Sequence, residues 1–244
     1  MSRLGARAVR KAFGRNEVLR GVDVDLHAGE VCFLLGVNGA GKSTLLGGLG
    51  GEVALDAGVV KLEPDARLVF VPQKPPLAPL LTPSEHLEAM VALRGLGAEA
   101  RTRYASAAEA LGITRFFDAP ARTLSGGTQQ KVALSLGLSV GADVLLLDEP
   151  WTGLDILSAR ALRRLLQAER DRGAAVLAAS HLPETAVALA DRAVVLAGGR
   201  IVARLDPARM QGFAGDPRAF EAAIVEAMVE GGVQDAADAP APQG

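Results

Sequence analysis

Residues 31–44 read VCFLLGVNGAGKST, and this order decides the fold. Val31 to Leu35 is an unbroken apolar run, as expected of a strand buried on both faces of a largely parallel sheet. Gly36 to Thr44 then satisfies G-x-x-x-x-G-K-[ST], and residues 43–49 continue as a helical stretch. A strand, a glycine-rich turn and a helix in that order build a cradle for phosphate. The glycines let backbone N–H groups curl around a di- or triphosphate, and the helix N-terminus adds the positive end of its dipole. Lys42 is placed to reach the β- and γ-phosphates, and the Ser43 hydroxyl to ligate Mg²⁺.

A second element with the same logic lies downstream. Val144 to Leu147 is a short apolar run ending in Asp148 and Glu149, and open α/β sheets hold their ligands at the carboxyl ends of strands. The two acids can divide the work there. Asp148 would serve the Mg²⁺ shell, and Glu149 would polarise a water for in-line attack on the γ-phosphate. Further strand candidates are Leu68 to Val71, Ala175 to Ala179 and Ala193 to Leu196, with Ile201 to Leu205 after a Gly198-Gly199 hairpin signal. Thr82-Pro83-Ser84-Glu85 combines a capping threonine, an N1 proline and an N3 glutamate, so a helix is expected over 83–93. Asp155 or Ser158 opens another helix that Gly173 closes, and Asp216-Pro217 opens a third through about Glu230. That third helix carries Phe220, Ala223, Ile224 and Ala227 on one side. Residues 231–244, GGVQDAADAPAPQG, are small and polar and are expected to stay disordered.

The chain has 244 residues, with 26 Lys and Arg against 28 Asp and Glu, and 49% are apolar. A chain of this length buries roughly 70–75% of its unfolded surface, so neither disulfides nor a structural metal is needed. A net charge of −2 lacks the basic excess of a dedicated nucleic-acid binder, and no nucleic-acid partner is expected. The single cysteine, Cys32, sits in an apolar run and reads as a buried core thiol in a reducing compartment. The first twenty residues are charged throughout and carry no secretory pattern, which leads to a cytoplasmic expectation. The longest apolar segment, Val132 to Leu147, is broken by Gly137, Gly141 and Asp143 and is too short to span a bilayer.

Between the two site elements stands Leu124-Ser125-Gly126-Gly127-Thr128-Gln129-Gln130. Ser125, two glycines and a helical stretch make a second helix N-terminus with backbone donors, hence a second anion cradle. One triphosphate needs one cradle, so the second suits a nucleotide held by another copy. With Gln73 in Phe-Val-Pro-Gln, Leu154-Asp155 and a strand ending Ser180-His181, the set resembles the nucleotide-binding subunit of ATP-binding cassette transporters, over about residues 3–205.

That resemblance implies a P-loop NTPase cassette: an α/β fold with a mainly parallel core sheet, an antiparallel β N-terminal subdomain and a small helical signature lobe. The cassette would span 1–212, with the helical lobe at about 75–140, followed by a C-terminal helix over 213–230. The implied ATP site is Gly36, Asn38, Gly39, Ala40, Gly41, Lys42, Ser43 and Thr44, with Phe13 facing adenine and Val18 beside it. Glu149, His181, Lys42 and Gln73 carry the implied catalysis, and Ser43, Gln73 and Asp148 the implied Mg²⁺. Ser125, Gly126 and Gly127 would serve in trans, with Asp155 at the D-loop. ATP and Mg²⁺ are the implied cofactors. A second cassette and a separate integral membrane permease are the implied partners, the latter tethering the chain to the cytoplasmic face of the membrane. Leu77, Leu80, Leu81, Leu87, Met90 and Val91 would frame a groove for the permease.

Thr128, where the family usually has glutamine, and Leu81 to Leu87 resemble an exporter branch, so export of an unknown substrate is expected. A soluble cassette without a permease, of the assembly-factor type, is the alternative. His27 and His86 are given no role beyond surface or packing, and Trp151 none beyond packing.

Overall fold

Alternation along one strand organises the interior. In β3 (Glu30–Leu35), Val31, Phe33 and Leu35 enter the apolar cluster on one face of the sheet, while Cys32 and Leu34 enter the cluster on the other. A strand buried on both sides needs a continuous apolar run, which is what residues 31–35 supply. The computed structural model describes residues 2–214 and 216–231.

The six-stranded sheet has the order β5-β6-β7-β3-β8-β9, where β5 is Leu68–Val71, β6 Val144–Asp148, β7 Ala175–Ser180, β8 Arg192–Ala197 and β9 Arg200–Leu205. Five of these strands are parallel, and β9 returns antiparallel through Gly198 and Gly199, both at positive φ as a tight hairpin turn requires. A second sheet is wholly antiparallel, in the order β2-β1-β4: Asn16–His27, Ser2–Phe13 and Ala57–Leu62. It covers the Cys32 and Leu34 face together with α1 (Lys42–Leu49). Burial pushes the Cys32 thiol up to about 12.

The other face is packed by α4 (Gly126–Ser139), α5 (Ile156–Asp171), α6 (Pro183–Val187) and α8 (Pro217–Glu230). Trp151 stacks on Phe33 there, with ring centroids 5.4 Å apart, which is the packing role its sequence position suggested. The short α7 (Pro207–Gly212) leads into α8, whose Phe220 and Ile224 are buried. Asp216 caps α8 as expected, its carboxylate accepting from the Ala219 N–H. Of the stretch read as disordered, only Gly231 belongs to the described residues; 232–244 lie outside them.

A helical lobe of α2 (Pro83–Arg94), α3 (Ala98–Ala110) and α4 has its own apolar cluster around Leu87, Val91, Tyr104, Ile113, Val132 and Leu136. The Thr82–Glu85 capping box forms in full. His86, in the first turn of α2, ties down the loop before the helix: Nε2 accepts from the Ala78 N–H at 2.9 Å and Nδ1 donates to the Thr82 carbonyl at 2.8 Å. The expected permease groove needs correction. Leu87 and Val91 are buried inside the lobe, because they pack in the apolar cluster with Tyr104, Ile113, Val132 and Leu136, and only Leu80 of the six residues is strongly exposed.

The region between α1 and α2 holds β4, which the apolar periodicity did not single out, since five of its six residues are exposed. Among the described residues no helix is long and apolar enough to cross a membrane.

Candidate functional site

The site grows from the carboxyl ends of three neighbouring parallel strands, β6, β7 and β3. Beyond β3 the chain turns at Gly39 (φ 81°) and Gly41 (φ 103°), a conformation that glycine adopts without the Cβ penalty of other residues. Gly41 is the N-cap of α1 and offers no side-chain cap, so the first backbone N–H groups of the helix have no side-chain acceptor. A Cβ at Gly36 would collide with the Leu196 carbonyl oxygen, so the loop stem lies hard against β8.

Three charged groups meet at the loop. Lys42 is 6% exposed; its Nζ donates to the Gly36 carbonyl at 2.8 Å and the Val37 carbonyl at 3.3 Å, and stands 3.4 Å from Glu149 Oε1. Glu149 holds a second partner: His181 Nδ1 donates to its Oε2 at 2.9 Å. A buried lysine and carboxylate are stable only when paired in this way. Glu149 also has φ 45°, an uncommon region for a residue with a side chain, so the chain accepts local strain at this position. Asp148 is 3% exposed, and its Oδ1 has no hydrogen-bond partner. Burial raises its pKa above the ordinary aspartate value; the Ser43 hydroxyl and the Lys42 charge oppose that shift, and the Glu149 charge adds to it.

A cavity of about 500 Å³ opens over these groups, lined by Phe13, Val18, Asn38, Gly39, Gly41, Lys42, Ser43, Thr44, Gln73, Glu149, Thr152 and His181. Residues expected from five separated stretches therefore converge on one cavity. Gly36, Ala40 and Asp148, expected at the same site, are not among the residues that line it. Phe13 is 54% exposed at the cavity mouth, with Lys11 Nζ 5.2 Å from its ring centroid. Thr152 was missed. Its only sequence signal is its place three residues after Glu149, fixed by the turn in which its N–H donates to the Glu149 carbonyl at 3.0 Å.

The second cradle lies elsewhere. Ser125 is the N-cap of α4, its Oγ accepting from the Thr128 N–H at 3.2 Å. Gly126 faces open space, whereas a Cβ at Gly127 would strike the Gly153 carbonyl oxygen. None of Ser125, Gly126, Gly127 and Asp155 lines the 500 Å³ cavity. Asp155 caps α5 by accepting from the Ser158 N–H at 2.9 Å, and Lys131 of α4 donates to it at 2.6 Å. Lys131 and the Ser158 donors hold its carboxyl well below the usual carboxylate range.

The oxygen donors Asp148, Ser43 and Gln73 suit a hard divalent cation, and the unpartnered Asp148 Oδ1 is a buried acceptor of that kind. The described residues contain no group of three or more His, Cys, Asp or Glu that could cage an ion alone. The chemistry of the donor set, two oxygen side chains and a carboxylate, fits Mg²⁺.

A parallel sheet, a glycine loop on a helix N-terminus and a lysine paired with an acid at the end of β6 define a phosphate-loop nucleoside triphosphatase. Within that class the comparisons are specific. The family model described as ABC transporter matches residues 19–152. The chain is 43% identical over 205 residues to an aliphatic sulfonates import ATP-binding protein, SsuB 3, of Nocardia farcinica, covering 82% of this chain and 79% of that one. It is 36% identical over 243 residues to SsuB of Rhodopseudomonas palustris, covering 93% and 84%. It is also 36% identical to the sn-glycerol-3-phosphate import ATP-binding protein UgpC 1 of Rhizobium johnstonii, covering 82% of this chain and 58% of that longer one. A solved ATP-binding subunit of an ABC transporter superposes with a TM-score of 0.82 at 25% identity, over 93% of this chain and 99% of that one.

The chain belongs to the ABC transporter family, as an ATP-binding subunit and an ATPase. The cassette fold inferred from the motifs is the fold observed. The expectation of an exporter branch finds no support: these named relatives are import proteins, and the two short motifs behind that expectation lie in the helical lobe, away from the nucleotide pocket.

Proposed function

We propose that this chain hydrolyses Mg-ATP in a closed pair of cassettes and thereby drives a separate integral membrane permease, which holds it at the cytoplasmic face of the membrane. The observation that carries the proposal is the division of labour between the two cradles. Lys42, Glu149 and His181 surround one cavity, while Ser125 to Gly127 start a helix outside it. Import is the favoured direction, supported by relatives at 36–43% identity that are named for import.

In this reading the first-turn N–H groups of α1 bind phosphate oxygens, and Lys42 Nζ exchanges the Gly36 and Val37 carbonyls for the β- and γ-phosphates. Ser43, Asp148 and Gln73 would hold Mg²⁺, which would supply positive charge against the triphosphate. Glu149 accepts a proton from the attacking water, and the His181 hydrogen bond fixes the direction of that carboxylate. Phe13 and Val18 offer the adenine an apolar edge. The Ser125 hydroxyl and the Gly126 and Gly127 N–H groups meet the γ-phosphate of the partner's nucleotide.

A two-copy site makes activity depend on concentration. Steady-state ATPase measured over a wide dilution series should show turnover per chain falling as the pairs separate. A rate that stays flat while the chain remains a monomer with ATP overturns the paired site. Reconstitution with the permease should raise the rate and couple it to inward movement of cargo.

A further inference from the structure

Gln130, in the second turn of α4, is 3% exposed, and neither its Oε1 nor its Nε2 has a hydrogen-bond partner. Its neighbour shows what a satisfied amide looks like there: Gln129 Nε2 donates to the Ala121 carbonyl at 2.9 Å and the Leu124 carbonyl at 3.2 Å. A buried, unpaired polar group disfavours its own conformation by roughly tenfold to hundredfold in an equilibrium constant, and an apolar side chain of similar size would avoid that penalty.

The surroundings suggest where the penalty is relieved. Gln130 belongs to the lining of a cavity of about 440 Å³ between the helical lobe and the core, together with Gln73, Lys74, Pro75, Thr152 and Gly153. Gln73 and Thr152 line the nucleotide pocket as well. The cavity is thus bounded on one side by residues whose positions the nucleotide can alter, and on the other by the helix that starts at Ser125. Gly127 and the Gly153 carbonyl come into close contact at the edge of that cavity.

We propose that Gln130 is a conditional latch. Its amide is unpaired in the arrangement of lobe and core described above, and it pairs with the backbone of residues 73–75 when ATP draws Gln73 toward the phosphate pocket. The hydrogen bonds then exist only in the second arrangement, so their free energy favours that arrangement alone. Gln130 is a positioning residue that acts through Gln73, and the inference rests on the reading of Gln73 given above.

Gln130→Leu and the unbranched Gln130→Met test it, through opposite signs in two measurements on the full chain. Without nucleotide, the thermal midpoint should hold or rise, because no hydrogen bond is lost. With Mg-ATP, the rise in midpoint should shrink, and kcat should fall about tenfold. A Met variant that loses stability without nucleotide, or fails to fold, overturns the latch by showing that the amide is already satisfied. Unchanged kcat and an unchanged ATP-induced shift overturn it too. Gln73→Ala separates the two levels. Full turnover in that variant removes the role of Gln73 and the latch with it; lost turnover there beside normal turnover in Gln130→Met removes the latch only. With the latch in place, the double variant should be no slower than Gln73→Ala.

Discussion

The phosphate loop and the Ser125 helix start are both glycine-bearing helix N-termini, yet they differ in how far each satisfies itself. At Gly41 the first turn of α1 has no side-chain cap, and a buried lysine, two acids and a histidine converge beside it. At Ser125 the cap is closed: the hydroxyl oxygen accepts from the Thr128 N–H and lies 2.9 Å from the Thr128 hydroxyl. The first site is built to receive an anion and process it. The second is a finished helix end that can add contacts to an anion held by something else. The difference teaches that a helix N-terminus acquires chemistry from the strand ends beside it.

The largest effect expected from breaking this asymmetry is at the complete site. Glu149→Gln keeps the shape but removes the base and should cut turnover by about 10²–10⁴, with ATP binding retained and a closed pair accumulating by size-exclusion chromatography. Wild-type-like turnover would remove Glu149 from the mechanism. The next effect is at the other cradle. Ser125→Asp still caps the helix but sets a negative charge against phosphate, so turnover should drop by about 10²-fold while dilute, unpaired chains bind nucleotide as before. Nucleotide affinity falling in step with turnover would place both cradles on one nucleotide and erase the distinction.

The smallest effect concerns Asp148, whose pKa is raised in the fold, chiefly by burial. A carboxyl with a raised folded pKa stabilises the fold most at low pH, and that contribution is lost as pH rises through the unfolded and then the folded value. Asp148→Asn should therefore be more stable than the parent at pH 7 without nucleotide, a gain that vanishes below the ordinary aspartate range, and should lose the stabilisation by Mg-ATP. Denaturation across pH, with and without Mg-ATP, measures both; a destabilised variant at pH 7 would show that Asp148 is held at no cost.

The doubly buried strands were legible because residues 31–35, 68–71 and 144–147 are continuous apolar runs, and the helix over 83–94 because its capping box is local. Asp155 rather than Ser158 proved to cap α5, since Ser158 is turned inward and buried. β4 was not legible, because an exposed strand is held by pairing with β1 and needs no apolar pattern of its own. The Lys42–Glu149–His181 contact was readable as a list of residues but not as a geometry, because it depends on β6, β7 and β3 lying side by side. Thr152 and Gln130 carried no chemical signature; each matters through what a neighbouring element places opposite it.

Cys32 extends the usefulness of the doubly buried strand to the bench. With its thiol at 0% exposure and resistant to ionisation, a maleimide or disulfide reagent should leave the native chain untouched and mark it once the sheet comes apart. Wild-type protein thus contains its own clock for core opening, and an added surface cysteine on either cradle could be tagged without first deleting the natural one.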